Sequence, residues 1–300
     1  MDSQHTSHPT TYAYSNPHYP EFYDLYIRSL FGSSPSQDSV LFFKALSSIQ
    51  RTKAGSPGQL VKVIDIGTGT GRVIKDLLSR LQDEDIYGGR VEMVGVDHSS
   101  SMLERAKRTM QVQLEAGVGM GEVRWIQAPA TSFLAQVPEL ENEVDVLIFA
   151  AGGISHLTAD GEVLEFLQQA KRALRKSDGS VAVVSILHEF IPDHEGNGFD
   201  TERDEEDEAR VLSEEHSGLV YAKSPTRMSW VGDVRTDRFA VKGVRVGEAG
   251  EEKVWEQEMV WSLRMFDEKA WERYLRSAGL VIGGVLELEI QRMYFLNLGG

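Results

Sequence analysis

Val63-Ile64-Asp65-Ile66-Gly67-Thr68-Gly69-Thr70-Gly71-Arg72 is the stretch on which the reading of this chain turns. An apolar run leads into a loop with glycine at every second position. Val73, Ile74, Leu77, Leu78 and Leu81 then recur at helical spacing. Glycine belongs where backbone comes against a ligand or where φ is positive. A buried strand, a glycine loop and an amphipathic helix at the carboxyl edge of a parallel sheet make a nucleotide site. Spacing separates the ligands. A dinucleotide site wants G-x-G-x-x-G, with a pyrophosphate on the helix N-terminus. Counted from Gly67, the third glycine of that pattern falls on Arg72, and the glycine comes one residue early, at Gly71. Asp65 stands at the strand end, where a carboxylate would face the ligand's own phosphates. An acid there suits a cation, such as an amino group.

The same rhythm continues along the chain. Val91–Val96, Val123–Ile126, Val144–Phe149 and Val181–Leu187 are short apolar runs, and Met102–Leu114 is helical. Val163, Leu164, Phe166, Leu167, Ala170 and Leu174 stripe another helix. Strands of nearly continuous apolar character alternating with helices predict an α/β fold, with a mostly parallel sheet covered on both faces. Residues 1–18 read as a flexible tail, and residues 19–300 as a single domain. Within it, residues 19–59 form a helical segment that opens at Pro20 and ends in the Gly/Pro-rich loop 51–59. Residues 193–216, with the acidic block Asp204–Glu208, read as a solvated loop or frayed helix. Three β-like runs, Met228–Val234, Phe239–Val246 and Lys253–Leu263, predict an antiparallel meander within an insertion spanning 188–263. A last helix over Phe266–Ala278, stopped by Gly279, precedes two edge-type runs, Val281–Glu289 and Arg292–Leu298.

Composition narrows the function. The 300 residues carry 31 Lys+Arg against 46 Asp+Glu, a net charge of −15. Such an acidic surface repels phosphate backbones and anionic membranes, so neither nucleic acid nor membrane is expected as a partner. With no cysteine, disulfides, zinc–thiolate sites, iron–sulfur clusters and thiol nucleophiles are excluded. No apolar run approaches the ~18 residues of a membrane span. The polar opening residues lack the pattern of a secretory signal, and the expected address is the cytosol.

The glycine stretch resembles motif I of the class I S-adenosylmethionine-dependent methyltransferases, whose pattern is two hydrophobic residues, Asp or Glu, a hydrophobic residue, then G-x-G-x-G. The following strand, Val94-Gly95-Val96-Asp97-His98-Ser99-Ser100-Ser101-Met102-Leu103, is similar to the family's D-x-S-x-x-M-L segment. The resemblance implies a seven-stranded Rossmann-like sheet with S-adenosylmethionine as cofactor. Asp65 would orient its amino-acid end, with Gly67, Thr68, Gly69 and Gly71 passing close to it. Asp97 would accept the ribose hydroxyls in short, charge-assisted bonds. His98 and Met102 would stand beside the adenine, and Arg72 would pair with the cofactor carboxylate. After the third strand, Pro129 stands where the family usually has an adenine-binding Asp, which leaves Ala128 and Ala130 for that contact. A fold that has lost methyl transfer, serving as a non-methylating catalyst or a regulatory binding protein, is the alternative that Pro129 raises.

Further on, Phe149-Ala150-Ala151-Gly152-Gly153-Ile154-Ser155-His156-Leu157 leaves room at Ala150, and its Ser-His-Leu ending resembles glycine N-methyltransferase-like small-molecule enzymes. No Asn-Pro-Pro-Tyr and no Asp lies in that segment, against a nucleic-acid amino-methyltransferase and a magnesium site, and no metal is assigned. Tyr19, Tyr23 and Tyr26 resemble the family's aromatic N-terminal segment and would touch the cofactor carboxylate or face the methyl group. The candidate catalytic residues are Tyr23 and two histidines at strand ends, His156 and His188, either of which could act as a base. The insertion carries Phe190, Trp230, Phe239, Trp255 and Trp261, walls that suit an apolar or aromatic acceptor. The implied reaction is metal-independent methylation of a small molecule on N, O or S. The acceptor atom and the oligomeric state stay open.

Overall fold

In the computed structural model, the described residues are 18–31, 36–53, 60–83, 91–115, 122–176, 179–192, 203–204, 209–247 and 250–299. The predicted tail, but for His18, and residues 205–208 of the acidic block lie outside them, as does the loop 54–59. Two helices, α1 (Tyr19–Phe31) and α2 (Gln37–Lys53), precede the core. The core then runs β1 (Val61–Ile66), α3 (Arg72–Asp83), β2 (Val91–Asp97), α4 (Ser100–Glu115), β3 (Glu122–Gln127) and β4 (Val146–Phe149). It continues with α5 (Glu162–Ala173) and β5 (Val181–Leu187). Val144 makes an isolated bridge to Leu174, so β4 is shorter than the predicted run.

A second set of strands follows: β6 (Arg203–Asp204), β7 (Ala209–Leu212), β8 (Leu219–Lys223), β9 (Arg227–Val231), β10 (Val234–Gly247) and β11 (Gly250–Arg264). The chain closes with α6 (Glu268–Ala278), β12 (Leu280–Glu287) and β13 (Gln291–Leu298). Asp267 caps α6 by accepting the Ala270 N–H at 2.7 Å, and Gly279 ends it at φ +72°.

The main sheet has seven strands in the order β12-β13-β5-β4-β1-β2-β3. β3, β2, β1, β4 and β5 are parallel; β13 runs antiparallel to β5, and β12 to β13. The order reverses direction between β1 and β4. A crevice opens at such a switch point, outside the carboxyl ends of the strands. Alternation along β1 sends Val61 and Val63 to a layer with Phe42, Leu46, Ile74 and Leu77, and Ile64 and Ile66 to one with Phe149, Phe166, Leu167 and Trp271. Both faces are covered, as continuous apolar strands require.

The second sheet is antiparallel, ordered β6-β9-β10-β8-β7, with β11 on the other side of β10. β7 and β8 were not predicted: they lie in and just after the stretch read as a solvated acidic loop. A third apolar cluster joins this sheet to α1 through Tyr19, Phe22, Leu219, Tyr221, Phe239 and Met259. At its edge the buried Glu21 carboxylate accepts from Ser213 Oγ (2.9 Å), the backbone N–H of Glu214 (2.8 Å) and Glu215 (2.9 Å), and Tyr221 Oη (2.6 Å). α1 is thereby tied to the second sheet. No described helix is long and apolar enough to cross a membrane.

Candidate active site

A cavity of about 710 Å³ lies at the switch point. Its floor is the turn between β1 and α3. Gly67, Gly69 and Gly71 all have positive φ, at 63°, 56° and 81°, so the chain folds back at each second residue. The Thr68 N–H donates to Val96 O at 2.9 Å, and its hydroxyl donates to Asp65 Oδ2 at 2.7 Å. Asp97 ends β2 and holds the turn from the side. Its Oδ2 accepts the Gly69 N–H and its Oδ1 the Ser99 N–H, each at 2.8 Å. These two bonds use part of the carboxylate's acceptor capacity and leave lone pairs for hydroxyl donors.

The cavity brings together Tyr23, Asp65, Gly67, Thr68, Gly69, Arg72, Asp97, His98, Met102, Ala128, Ala130, Ala150 and His156 from the predicted set. Asp24, Arg28, Lys75, Asp76 and Glu162 also line it, and sequence reasoning passed over all of them. Five carboxyl side chains thus face three cationic ones there, which favours a ligand with positive charge. Pro129 is in the lining beside Ala128 and Ala130. Asp24 accepts from the Thr70 hydroxyl and from Arg105 Nε, which pins α1 over the glycine turn.

Other predicted residues stand elsewhere. Gly71 is outside the lining; a Cβ there would lie 2.7 Å from Trp125 Cη2, so this glycine serves packing and the turn. Gly71→Ala is expected to cost about 2–4 kcal/mol, joining left-handed strain to overpacking. Thermal or denaturant unfolding checks it, and a variant as stable as the parent contradicts the assignment. Arg72 reaches the cavity, but its guanidinium is clamped by Asp38, Nη2 to Oδ2 at 2.7 Å and Nη1 to Oδ1 at 2.9 Å. The expected partner, a ligand carboxylate, has a rival inside the fold. Tyr19 is 1% exposed within the cluster beneath α1 and is not in the lining. Tyr26 stacks on Phe22 at 5.8 Å and lines a second, smaller chamber. His188 lies outside both cavities: it is exposed, with Nε2 2.9 Å from Glu287 Oε2. A strand-end position gives a side chain's level in the fold but not its direction.

Burial sets the electrostatics. It pushes the Asp65 carboxyl up to about 7, against the opposing Thr68 hydrogen bond, and likewise raises Asp97. Tyr23 is pushed up to about 12 by burial and stays neutral. His156 is lowered to about 4 by burial and by the charge of His98, so its imidazole is neutral at pH 7.

For a carboxyl raised in the fold, the associated stability is complete below the unfolded value near ~4 and is lost as pH rises toward about 7. A cation beside Asp65 favours the ionised form, so its binding releases a proton below that pH. Affinity for a cationic cofactor is therefore expected to rise about tenfold per pH unit until about 7 and then level off. Titration calorimetry in buffers of different ionisation enthalpy checks this. Asp65→Asn should flatten the profile.

His156 ends the turn Gly153–His156 after β4. The turn begins through Ala151 at φ +53° and Gly152 at φ +67°, a strained pair of the kind that persists where the surroundings impose it. Arg264, at the end of β11, braces the chain just beyond by donating to Leu157 O (3.1 Å) and Thr158 O (2.7 Å). The smaller chamber, about 90 Å³, lies beneath the second sheet and shares Tyr23, Ile27, Ala151 and His156 with the larger cavity.

A seven-stranded sheet of this order, with a glycine turn at its switch point and an acid ending each of its first two strands, is the class I methyltransferase fold. Residues 63–177 match the family model described as a methyltransferase domain. The N-methyltransferase FrzE of Cladobotryum sp is 29% identical over 219 residues, 72% of each chain. The structure of the CcbJ methyltransferase of Streptomyces caelestis superposes with a TM-score of 0.61 at 15% identity, covering 98% of this chain and 100% of that one. The sugar N-methyltransferase KedS8 of Streptoalloteichus sp superposes with a TM-score of 0.57 at 18% identity, covering 93% of each. The protein is an S-adenosylmethionine-dependent methyltransferase. Its large cavity suits that cofactor: two buried carboxylates flank a bend whose glycines leave the space clear of side chains.

Proposed function

We propose that the protein methylates a nitrogen atom of a small-molecule amine. The observation that carries this is the small chamber adjoining the large cavity across shared walls that include Tyr23 and His156, both neutral at pH 7. A hydroxyl acceptor needs a strong base to ionise it, and neither group at that junction is one. An amine is nucleophilic once neutral and needs only orientation. The N-methyltransferase relative supports the same atom.

When bound, S-adenosylmethionine supplies a methyl group on a sulfonium cation. Asp65 and Asp97 hold the two ends of the cofactor cavity, and Asp24 keeps α1 closed over the glycine turn. Tyr23 and Ile27 on α1 help exclude water, which leaves an acceptor lone pair unsolvated. A ring nitrogen of His156 accepts an acceptor N–H and aims the lone pair toward the cofactor cavity. Alignment of this kind can supply ~7–11 kcal/mol of an in-line displacement.

His156→Phe is expected to lower kcat about tenfold or more, the worth of one buried hydrogen bond, with the cofactor KM little changed. His156→Asn should recover part of the loss. Incubation with methyl-labelled cofactor and a metabolite extract, read by mass spectrometry, tests the reading as a whole. A product with the label on nitrogen is expected. Label on oxygen or sulfur, or no S-adenosylhomocysteine formed, contradicts it.

A further inference from the structure

The small chamber is lined by two acids, Glu189 and Asp237, and two bases, Lys223 and Arg235, so no net charge steers an amine within it. Orientation there falls to His156, whose ring lines both cavities. Whatever fixes that ring bears on the reaction.

The residues just after His156, Leu157 and Thr158, belong to no helix or strand, so their carbonyls need donors from elsewhere. One side chain supplies both. Buried Arg264 donates from Nε to Leu157 O at 3.1 Å and from Nη2 to Thr158 O at 2.7 Å. Its Nη1 donates to the carboxylate of Asp233, an exposed residue between β9 and β10. Asp233 is itself tied to the end of β11, where its carbonyl accepts the Met265 N–H at 2.7 Å. The planar guanidinium is thereby held at three points, a geometry that the single ammonium of lysine does not reproduce.

The same strand reaches the imidazole. Trp261, earlier on β11, meets the His156 ring edge-on with centroids 6.3 Å apart. Phe239 of β10 backs Trp261, edge to face at 4.9 Å. Arg264 lines neither cavity, so it has no contact with a ligand in them. Burying a guanidinium is expensive, and the bonds of this one converge on the link between β11 and the His156 turn.

We infer that Arg264 is a positioning residue for methyl transfer: held by Asp233, it fixes the backbone beside His156 so that, with Trp261 against the ring, the imidazole keeps one direction. The inference rests on His156 orienting the acceptor amine. The second sheet then aligns the reaction as well as covering it, since a side chain braced by a strand is held more closely than one on a free loop.

The test follows His156 directly. Isotope-labelled histidine gives a nuclear magnetic resonance signal for each of the eight histidines, and the one missing in His156→Phe belongs to His156. Burial and the charge of His98 lower its imidazole to about 4, so about 3% is protonated at about pH 5.5 in the parent. Arg264→Met frees the turn and lets water reach the ring, and that fraction is expected to rise about tenfold. Arg264→Lys should give a smaller rise, as should Asp233→Asn, which alters only an exposed position. Calorimetric affinity for S-adenosylmethionine should stay within about twofold of the parent in all three. Turnover is read as S-adenosylhomocysteine released with a metabolite extract as the acceptor source. It should fall about tenfold in Arg264→Met with the cofactor KM little changed, and Arg264→Met should add less than about twofold to the loss in His156→Phe. A turnover loss in His156→Phe, with an unmoved His156 signal in Arg264→Met or losses that multiply in the double variant, overturns this inference alone. If Arg264→Met does not fold, an unmoved signal in both Arg264→Lys and Asp233→Asn overturns it. Full turnover in His156→Phe removes the role of His156 and this inference with it.

Discussion

Asp97→Ala is expected to weaken S-adenosylmethionine binding by at least about a hundredfold, the combined worth of two hydrogen bonds to a buried charge. The carboxylate has two roles at the same place. It holds the glycine turn against β2 through the Gly69 and Ser99 N–H groups, and it lines the cavity, where we propose that it accepts ribose hydroxyls. Alanine removes both and leaves two N–H donors to find water. Asp97→Asn keeps one oxygen and should lose less. Calorimetry with S-adenosylmethionine and circular dichroism at one temperature separate binding from folding. A folded Asp97→Ala protein that binds within threefold of the parent would remove this residue from the site.

Arg72→Met is expected to destabilise the protein by about 3–5 kcal/mol, the cost of leaving a buried charge unpaired. Asp38 is 0% exposed at the start of α2, and burial works against its ionisation. The Arg72 guanidinium, with bonds from Ser36 and the Ser39 backbone, outweighs that and holds the carboxyl below its ordinary value. A lowered carboxyl stabilises the fold above its unfolded pKa, and that stability is lost as pH falls through the folded value. The parent should therefore lose more stability than the variant on acidification. Arg72→Met with Asp38→Leu should recover much of the loss, since a hydrophobic pair can replace a buried ion pair. Denaturant unfolding of the parent, both single variants and the pair reads the coupling; additive effects would dissolve the link.

The parts of the site that could be read from the chain are those written in local spacing. Asp65, the glycines and Asp97 lie within a few residues of a strand end, and the chemistry of strand, turn and helix places them without help from the rest of the fold. Long-range partners could not be read this way. Asp38 lies 34 residues before Arg72, and nothing in either segment announces the clamp. Gly71 carries the same letter as Gly67 and Gly69, yet a tryptophan on β3 dictates it. His156 and His188 each follow a core strand; one turns inward at a strained bend and the other outward to Glu287.

The second sheet illustrates a different failure. Acidic character around residues 203–216 concealed β7, and β8 just beyond went unread. The aromatics of the meander drew attention from Arg235, Asp237 and Lys223. A signal was present there: charged residues at alternate positions sharing the phase of Phe239 and Val241 mark a buried face that is not purely apolar.

The most direct measurement of the central claim is a crystal structure of the protein grown with S-adenosylhomocysteine. The account predicts the ligand in the large cavity, its ribose hydroxyls on the Asp97 carboxylate and its amino group on the Asp65 side of the glycine turn. A cavity left empty under saturating ligand, or the turn cradling a diphosphate from a nicotinamide dinucleotide instead, would contradict it.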